Sequence, residues 1–323
     1  MDIDAQPSES PITTADAPFS DPTDNVDLVI RTVDNVEFFV LSVLLTLQSP
    51  SSFFRHALRD SKHTEERDGL PVLEVTEDSD TFRTILLFCY PDVTPELKSV
   101  EQVQVMGAAL DKYCMDRAMR RLVQAVLASP MIREQPLRLY AVAVANGWKM
   151  VRETAARNTL AMPLSQAISD VDELKIITAR HLYRLLDYHA RCGKAAQIQT
   201  KNSPNPWLVR KVSDLVFLQR SVGLPRCRKC RAFPSEVGVT QYDSIHSHSW
   251  LEDTYFRLVN AKVLLEPQPC VALDGHIIDE SVIASNQCCD GEWTKVAASQ
   301  IRLLGKIVAD EIERRISEVS NER

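Results

Sequence analysis

Cys227 and Cys230 are the clearest candidates for chemistry in this sequence, because a Cys-x-x-Cys turn brings two thiolates within reach of one metal ion. A tetrahedral Zn²⁺ ion needs four ligands, so the others would come from later in the chain. The later residues of suitable type are His246, His248, Cys270, Cys288 and Cys289. One hypothesis is therefore a structural zinc ion bound by Cys227 and Cys230 together with ligands from His246, His248 and Cys288.

The spacing of the later residues keeps simpler interpretations open. One residue separates His246 from His248, and Cys288 adjoins Cys289, which is not a regular zinc-finger spacing. This irregularity favours two free thiols on a turn, or cysteines buried as small apolar groups. A redox-active Cys-x-x-Cys is disfavoured, because that motif normally opens a helix in a βαβ fold that the sequence does not predict.

Basic residues around the Cys-x-x-Cys pair raise the question of nucleic-acid binding. They are Arg226, Arg228, Lys229 and Arg231. The chain of 323 residues nevertheless carries a formal net charge of −7. A generally acidic surface repels phosphate backbones, so a solvated loop is the favoured interpretation and nucleic acid is not an expected partner. A localisation signal is the alternative.

We expect no catalytic site. His246 and His248 stand among serines, but a base and a nucleophile so close in sequence rarely reach triad geometry. The sequence contains no glycine-rich phosphate loop and no Gly-x-Ser-x-Gly motif. His189 lies within a predicted helix and is expected to be packed or half-exposed. A metal-dependent enzyme in residues 207–292 is the alternative, and it would need an open coordination position.

Residues 1–25 predict a disordered, acidic tail, with order beginning near Val26. The tail holds four prolines and six acidic residues, with no lysine or arginine and too little apolar surface to offset the entropy of ordering. It does not resemble a secretory signal, and no stretch of the chain is apolar enough for a membrane span. We therefore expect the cytoplasm or the nucleus, and no membrane partner.

Residues 26–130 predict a small α+β domain. Strands are expected at residues 27–30 and 36–40, joined by a hairpin at Asp34-Asn35, and again at 72–75. Apolar residues at helical spacing predict helices between and after these strands. Asp78 or Ser79 is the expected cap of one helix, and Ser99 with Gln102 predicts a capping box for the next.

The rest of the chain predicts helices with one less regular region. Residues 131–200 form a helical module in which Pro136 begins a helix and Gly147 ends it. A linker at 201–206 leads to a mixed region rich in Cys and His at 207–292. Residues 293–323 predict one amphipathic helix whose apolar stripe is Ile301, Leu304, Val308, Ile312, Ile316 and Val319. Its spacing near 3.6 residues favours packing on this chain's own core over a coiled coil with a partner.

The stretch from Asp27 to Ser129 resembles the BTB/POZ domain, through fragments that follow the family's order. These are Asp27-Leu28-Val29, then Phe38 and Val40 with Leu44-Leu45, then Ser49-Pro50 with Phe53-Phe54, then Val72 to Val75 ahead of Phe82, Ile85, Leu86, Phe88 and Tyr90, and finally the AALDKY run at 108–113. Residues 136–196 resemble a BACK-type helical extension, and the run at 182–196 resembles a fungal, basidiomycete-type group of BTB proteins. The resemblance implies a small sheet with helical hairpins followed by a mostly helical region.

The resemblance also implies a protein-interaction adaptor or scaffold. BTB domains present surfaces to copies of themselves, to transcriptional regulators, or to the cullin scaffolds of ubiquitin ligases. The residues expected on or near the partner face are Phe53, Phe54, Leu58, Arg59 and Asp60. Leu58-Arg59-Asp60 stands where cullin-binding members have an apolar-x-Glu triplet, although Asp60 is one methylene shorter than Glu. An ordinary helix end with Leu58 packed inward is the favoured interpretation.

Two departures from the family pattern limit what the resemblance implies. The family's helix-starting His is replaced by Leu41, followed by Ser42, so the positive charge that some members use in a co-repressor pocket is missing. The amphipathic helix that dimerising members carry before the first strand is replaced by the acidic tail. Self-association therefore stays an open question at this point.

Overall fold

A computed structural model of the chain describes residues 11–60, 65–91, 95–164, 168, 171–198, 206–209, 214, 215, 217, 250–288 and 292–319. The chain forms two compact units, residues 1–155 and 156–323. Within the described ranges, no helix has the length and apolar character that a membrane span requires.

The N-terminal unit is built on a five-stranded sheet with the strand order β1-β3-β2-β5-β4. The strands are β1 Thr13–Thr14, β2 Leu28–Arg31, β3 Val36–Val40, β4 Glu66–Arg67 and β5 Leu70–Glu74. β2 and β3 form the predicted antiparallel hairpin, and Asn35 adopts a φ of 59° in its turn. β5 then adds in parallel beside β2, so the sheet needs the intervening helices to cross between them.

In the described part of residues 11–158, eight α-helices lie between and after these strands. They are α1 Ser42–Thr46, α2 Phe53–Asp60, α3 Ser79–Cys89, α4 Val100–Lys112, α5 Asp116–Ala128, α6 Met131–Glu134, α7 Pro136–Ala145 and α8 Lys149–Asn158. The predicted caps are confirmed: the Asp78 carboxylate accepts from the Thr81 amide, and the Ser99 hydroxyl accepts from the Gln102 amide. The Gln102 side chain in turn accepts from the Lys98 amide. Gly147, with a φ of 70°, follows the end of α7 as expected.

The N-terminal segment contradicts the prediction of a disordered tail for residues 11–25. β1 pairs in parallel with β3, and Phe19 is completely buried, with its ring centroid 5.9 Å from that of Phe38 and 5.2 Å from that of Tyr90. Arg83 donates hydrogen bonds to the carbonyl oxygens of residues 16 and 17. One aromatic anchor and a short run of backbone pairing therefore order a segment whose composition alone predicts disorder. Residues 1–10 lie outside the described part of the chain.

The described part of the C-terminal unit is helical. Its α-helices are α9 Ala179–Ala196, α10 Pro206–Val209, α11 Arg257–Val263, α12 Gly275–Cys288 and α13 Glu292–Ser317. Short 3₁₀ helices occur at Thr159–Ala161, Asp172–Ile176 and Pro269–Leu273, and a π-helical turn occurs at Leu251–Phe256. The predicted fold class, an α+β domain followed by a mostly helical region, is confirmed.

Helix α13 provides the central packing surface of the C-terminal unit. Its predicted stripe is completely buried at Ile301, Leu304, Val308, Ile312 and Ile316. The stripe packs against the 3₁₀ helix at 269–273, against α12 and against α9. The prediction that this helix packs on its own chain is therefore confirmed. The boundary between the two units falls inside the predicted helical module 131–200, because α7 packs with α4 whereas α9 packs with α13.

Candidate functional site

Helix α1 begins at a cap supplied from the start of β2. The backbone N–H of Ser42 and its hydroxyl donate to the two carboxylate oxygens of Asp27, at 2.6 and 2.7 Å. The preceding amide, that of Leu41, donates to the Tyr90 hydroxyl at 3.2 Å. These bonds satisfy amides that the first turn of a helix leaves without partners, so a helix of only five residues has a fixed beginning.

This short helix carries exposed apolar side chains on one side. Val43 is 48% exposed and Leu47 is 46% exposed, and their spacing of four residues places them on the same side, whereas Leu45 is buried. α2 packs against α1 and begins with Phe53, which is 41% exposed. We call Val43, Leu47 and Phe53, the exposed apolar residues of α1, of its C-terminal cap and of the first turn of α2, the α1–α2 face.

The connection between α1 and α2 is fixed by several hydrogen bonds. The Arg55 guanidinium donates to the Thr46 carbonyl oxygen at 3.0 Å, which ties α2 to the end of α1. The Arg117 amide, at the start of α5, donates to the Gln48 carbonyl oxygen at 3.0 Å. The Ser49 hydroxyl donates to the Asp116 carboxylate at 2.7 Å. The α1–α2 face is therefore held from both α2 and α5.

Aromatic rings form the base beneath Phe53. Its ring centroid lies 5.4 Å from those of Phe54 and Tyr113, and Phe54 lies 5.1 Å from Tyr113. The Tyr113 hydroxyl donates to the Glu77 carboxylate, which also accepts from Lys112 Nζ at 2.9 Å. Aromatic rings at these distances attract each other beyond simple area burial. Phe53 is thus an exposed aromatic residue on a packed and hydrogen-bonded base.

The same contacts shift the pKa values of the groups in this base. Burial raises the pKa of Tyr113, and its hydrogen bond to Glu77 acts in the same direction. Partial burial would raise the pKa of Glu77, but hydrogen bonds from Tyr113 and Lys112 outweigh it, and the pKa of Glu77 lies below its ordinary value. The Lys and Tyr of the AALDKY run therefore form part of the hydrogen-bonded base of the face.

The five residues predicted for partner contact divide into distinct environments. Phe53 and Arg59 are exposed, and Leu58 is half-buried. Phe54 is completely buried, so the prediction that it contacts a partner directly is wrong: its ring faces Tyr113 and Phe82 in the core. Asp60 ends α2, and its side chain lies outside the described part of the structure.

Sequence reasoning missed Val43 and Leu47 as surface residues. Both stand in a run that predicts a helix with an apolar face, and such a face is normally taken to be buried. The available signal was the length of the segment. A helix that ends before Ser49-Pro50 has little more than one turn, so it can bury one side chain, Leu45, but not those on its other side.

The predicted zinc ligands mostly fall outside the described residues. This applies to Cys227, Cys230, His246 and His248, and the side chain of Cys288, at the end of α12, is also not described. In the part of the chain that the structure describes, no three His, Cys, Asp or Glu residues gather as a metal site would require. The zinc hypothesis stays a prediction, which native mass spectrometry of the wild type and of Cys227→Ser would test.

His189 is a packed side chain, as expected. It is 7% exposed, and its Nε2 lies 3.1 Å from the Met162 carbonyl oxygen, to which it donates. Burial lowers its pKa below the ordinary value, although the hydrogen bond to Met162 opposes that shift. A buried, neutral imidazole with a backbone partner has the properties of a structural residue.

Comparison with known families identifies the N-terminal unit. The model of the BTB/POZ domain matches residues 18–129, which begin one residue before the buried Phe19 and end at the last turn of α5. No match was found among curated proteins. The fungal subgroup and the BACK-type extension stay predictions. Residues 18–129 of this chain therefore form a BTB/POZ domain, a module that mediates protein–protein interactions.

Proposed function

We propose that this chain is a protein-interaction adaptor whose BTB/POZ domain binds its partner through the α1–α2 face. The observation that carries this proposal is that Val43, on α1, and Leu47, its C-terminal cap, are nearly half exposed, while hydrogen bonds fix the helix at both ends. An apolar surface that is already ordered loses little conformational freedom on binding. Burying these apolar side chains against a partner therefore lowers the free energy of the complex, because they remain in water in the unbound chain.

Phe53 supports the same proposal through its chemistry. Aromatic residues are enriched among those that contribute most to binding, and they act best when their own position is fixed before the partner arrives. The contacts of Phe53 with Phe54 and Tyr113 provide that fixation from below. The adaptor role requires no catalytic group on this face.

The test compares three aspartate substitutions of exposed apolar residues in the full-length protein. Val43→Asp places a charge on the α1–α2 face, and Leu47→Asp does the same one turn later. Val105→Asp is the control, because Val105 is 50% exposed on α4 and does not belong to the face. Affinity purification with quantitative mass spectrometry is expected to show one set of proteins that Val43→Asp and Leu47→Asp both lose and Val105→Asp retains. Identical sets for all three variants would refute the proposal.

A cullin scaffold is the more specific candidate partner. Leu58 is half-buried and not fully packed inward, so part of its side chain is accessible to such a partner. In such a complex Leu58 would enter an apolar groove at the end of α2. Purified cullin N-terminal domain is expected to co-elute with the wild-type protein and with Val105→Asp, but not with Leu58→Glu. Thermal melts of the variants would show whether the fold is retained. Absence of co-elution with the wild type would remove the cullin role and leave the wider adaptor role standing.

A further inference from the structure

Several arginines lie on the two helices that carry or adjoin the α1–α2 face, although the chain is acidic overall. Within residues 41–59 and 113–121 they are Arg55, Arg59, Arg117, Arg120 and Arg121. The carboxylates bonded to this region are already engaged, because Asp116 accepts from Ser49 and Asp27 accepts from Ser42. The chain as a whole has a net charge of −7, so this positive region is a local feature.

Hydrogen bonds bring α2 and the start of α5 to the end of α1. The Arg55 guanidinium donates to the carbonyl oxygen of Thr46, and the Arg117 backbone amide donates to the carbonyl oxygen of Gln48. Arg59 follows Arg55 by four residues along α2, and Arg120 follows Arg117 by three along α5. Residues at these helical spacings lie on the same side of a helix, so each arginine has a second one beside it.

These arginines are available to a partner. Arg59, Arg117 and Arg120 are exposed, and none forms an ion pair with a residue that the structure describes. Arg55 donates to a backbone carbonyl and not to a carboxylate. Some arginines of the same unit are paired: Arg31 lies 2.7 Å from Glu37, and Arg138 lies 2.5 Å from Glu101. Among the described residues, Arg59, Arg117 and Arg120 therefore carry positive charge without a paired carboxylate, on helices that carry or adjoin the exposed apolar residues.

We propose that the α1–α2 face binds an acidic segment of a partner protein, in which Asp or Glu residues flank apolar anchors. The proposal rests on the adaptor function above and names the chemistry of its partner. The anchors would cover Val43, Leu47 and Phe53, and the carboxylates would accept paired hydrogen bonds from the planar guanidinium groups around them. Charge complementarity of this kind speeds association and excludes partners of the same charge.

The same charges argue against a second copy of this chain as the occupant. A two-fold interface brings the same patch of both copies together, so it would gather the unpaired arginines of two α1–α2 faces in one interface. Like charges in a closing interface are unfavourable. A nucleic acid would satisfy the arginines, but it would leave Val43 and Leu47 facing phosphates instead of apolar groups. An acidic protein segment satisfies both parts of the surface.

The experiment selects peptides from a displayed random library on the immobilised full-length protein. Enriched peptides are expected to combine Asp or Glu with apolar residues, and their binding is expected to be lost with Leu47→Asp. A synthetic copy of the most enriched peptide, followed by fluorescence polarisation, is expected to bind about threefold to tenfold more weakly to Arg117→Glu. Arg133→Glu is the matched control, because Arg133 is also exposed without an ion pair to any described residue but lies on α6. Raising the salt concentration is expected to weaken the wild-type complex.

Different contrary results would overturn the acidic partner alone or the adaptor function as well. Neutral or basic peptides that still depend on Leu47 would overturn the acidic partner while leaving the binding face in place. Enriched peptides that ignore Leu47→Asp would overturn both proposals, and failure to enrich any peptide would overturn the inference. A dimer in native mass spectrometry that Leu47→Asp dissociates, or a single-stranded oligonucleotide that Arg117→Glu releases, would identify a different occupant.

Discussion

Helices α1 and α13 both have apolar residues at helical spacing, but these residues are partly exposed on α1 and buried on α13. On α13, the five stripe residues from Ile301 to Ile316 are completely buried. On α1 and at its C-terminal cap, Val43 and Leu47 are nearly half exposed, and only Leu45 of the helix is buried. The pattern in the sequence shows that a side of each helix is apolar, whereas the rest of the chain decides whether anything covers it.

The difference follows from what lies beside each helix. α13 is 26 residues long and meets α12, α9 and the 3₁₀ helix at 269–273, which together cover its stripe. α1 has five residues and is held by hydrogen bonds at its ends, which fix its position without covering its outer side. A covered stripe stabilises the fold, and an uncovered stripe on a fixed helix is a surface for binding.

The largest expected effect is a difference in the free energy of unfolding between substitutions of Phe54, in the base of the α1–α2 face, and of Phe53, on its surface. Phe54→Ala removes a completely buried ring and is expected to lower the free energy of unfolding by about 3–5 kcal/mol. Phe53→Ala removes a ring that is 41% exposed and is expected to cost about 1–2 kcal/mol while still weakening partner binding. Urea denaturation measures both. Equal costs for the two substitutions would mean that Phe53 belongs to the core and not to the surface.

Much of the BTB/POZ fold was predictable because local signals and the family pattern agree there. The hairpin turn at Asn35, the Asp78 cap and the Ser99–Gln102 pair each depend on neighbouring residues, and each is confirmed. The ordering of residues 11–25 was not predictable in this way. It depends on Phe19 reaching Phe38 and Tyr90, and such a contact leaves no periodic trace in the sequence.

The candidate site was predicted only in part, because the exposure of its side chains depends on tertiary contacts that the local sequence does not reveal. Phe53 and Phe54 are adjacent and chemically identical, yet one is exposed and the other is buried, because α2 turns one ring toward solvent and the other toward Tyr113 and Phe82. The arginines of the site come from α2 and α5, and only the fold brings these helices to the end of α1.

The next prediction tests the comparison of α1 and α13 with the same chemical change. Leu304→Ala, in the buried stripe of α13, is expected to lower the free energy of unfolding by about 2–5 kcal/mol. Leu47→Ala, at the C-terminal cap of α1, is expected to cost less than about 1 kcal/mol, because nearly half of that side chain is already in water. Both are measured by urea denaturation. A cost for Leu47→Ala close to that of Leu304→Ala would show that α1 is covered in solution.

A smaller effect concerns how closely α13 approaches its neighbours. A Cβ atom at Gly305 would lie 2.8 Å from the Ala272 carbonyl oxygen and 2.9 Å from the Leu273 side chain. Gly305→Ala is therefore expected to destabilise the protein by about 1–3 kcal/mol, although alanine is the better helix former. Gly275→Ala is the control, because a Cβ at the start of α12 meets nothing within 4 Å. Differential scanning calorimetry is expected to show a lower melting temperature for the first variant and an equal or higher one for the second.

The smallest predicted effect is a pH dependence that arises in the C-terminal unit. Burial lowers the pKa of His189 in the folded protein, whereas in the unfolded chain the imidazole titrates near its ordinary value of 6.5. As the pH falls below about 6.5, the unfolded state takes up a proton more readily than the folded state, so the free energy of unfolding decreases, by at most about 1.4 kcal/mol per pH unit. Above pH 7 both states are neutral and the contribution is constant. Urea denaturation followed by tryptophan fluorescence between pH 7.5 and 5.5 measures this slope, and His189→Gln, which keeps a donor for the Met162 carbonyl, is expected to reduce it. An unchanged slope in that variant would assign the pH dependence to other groups.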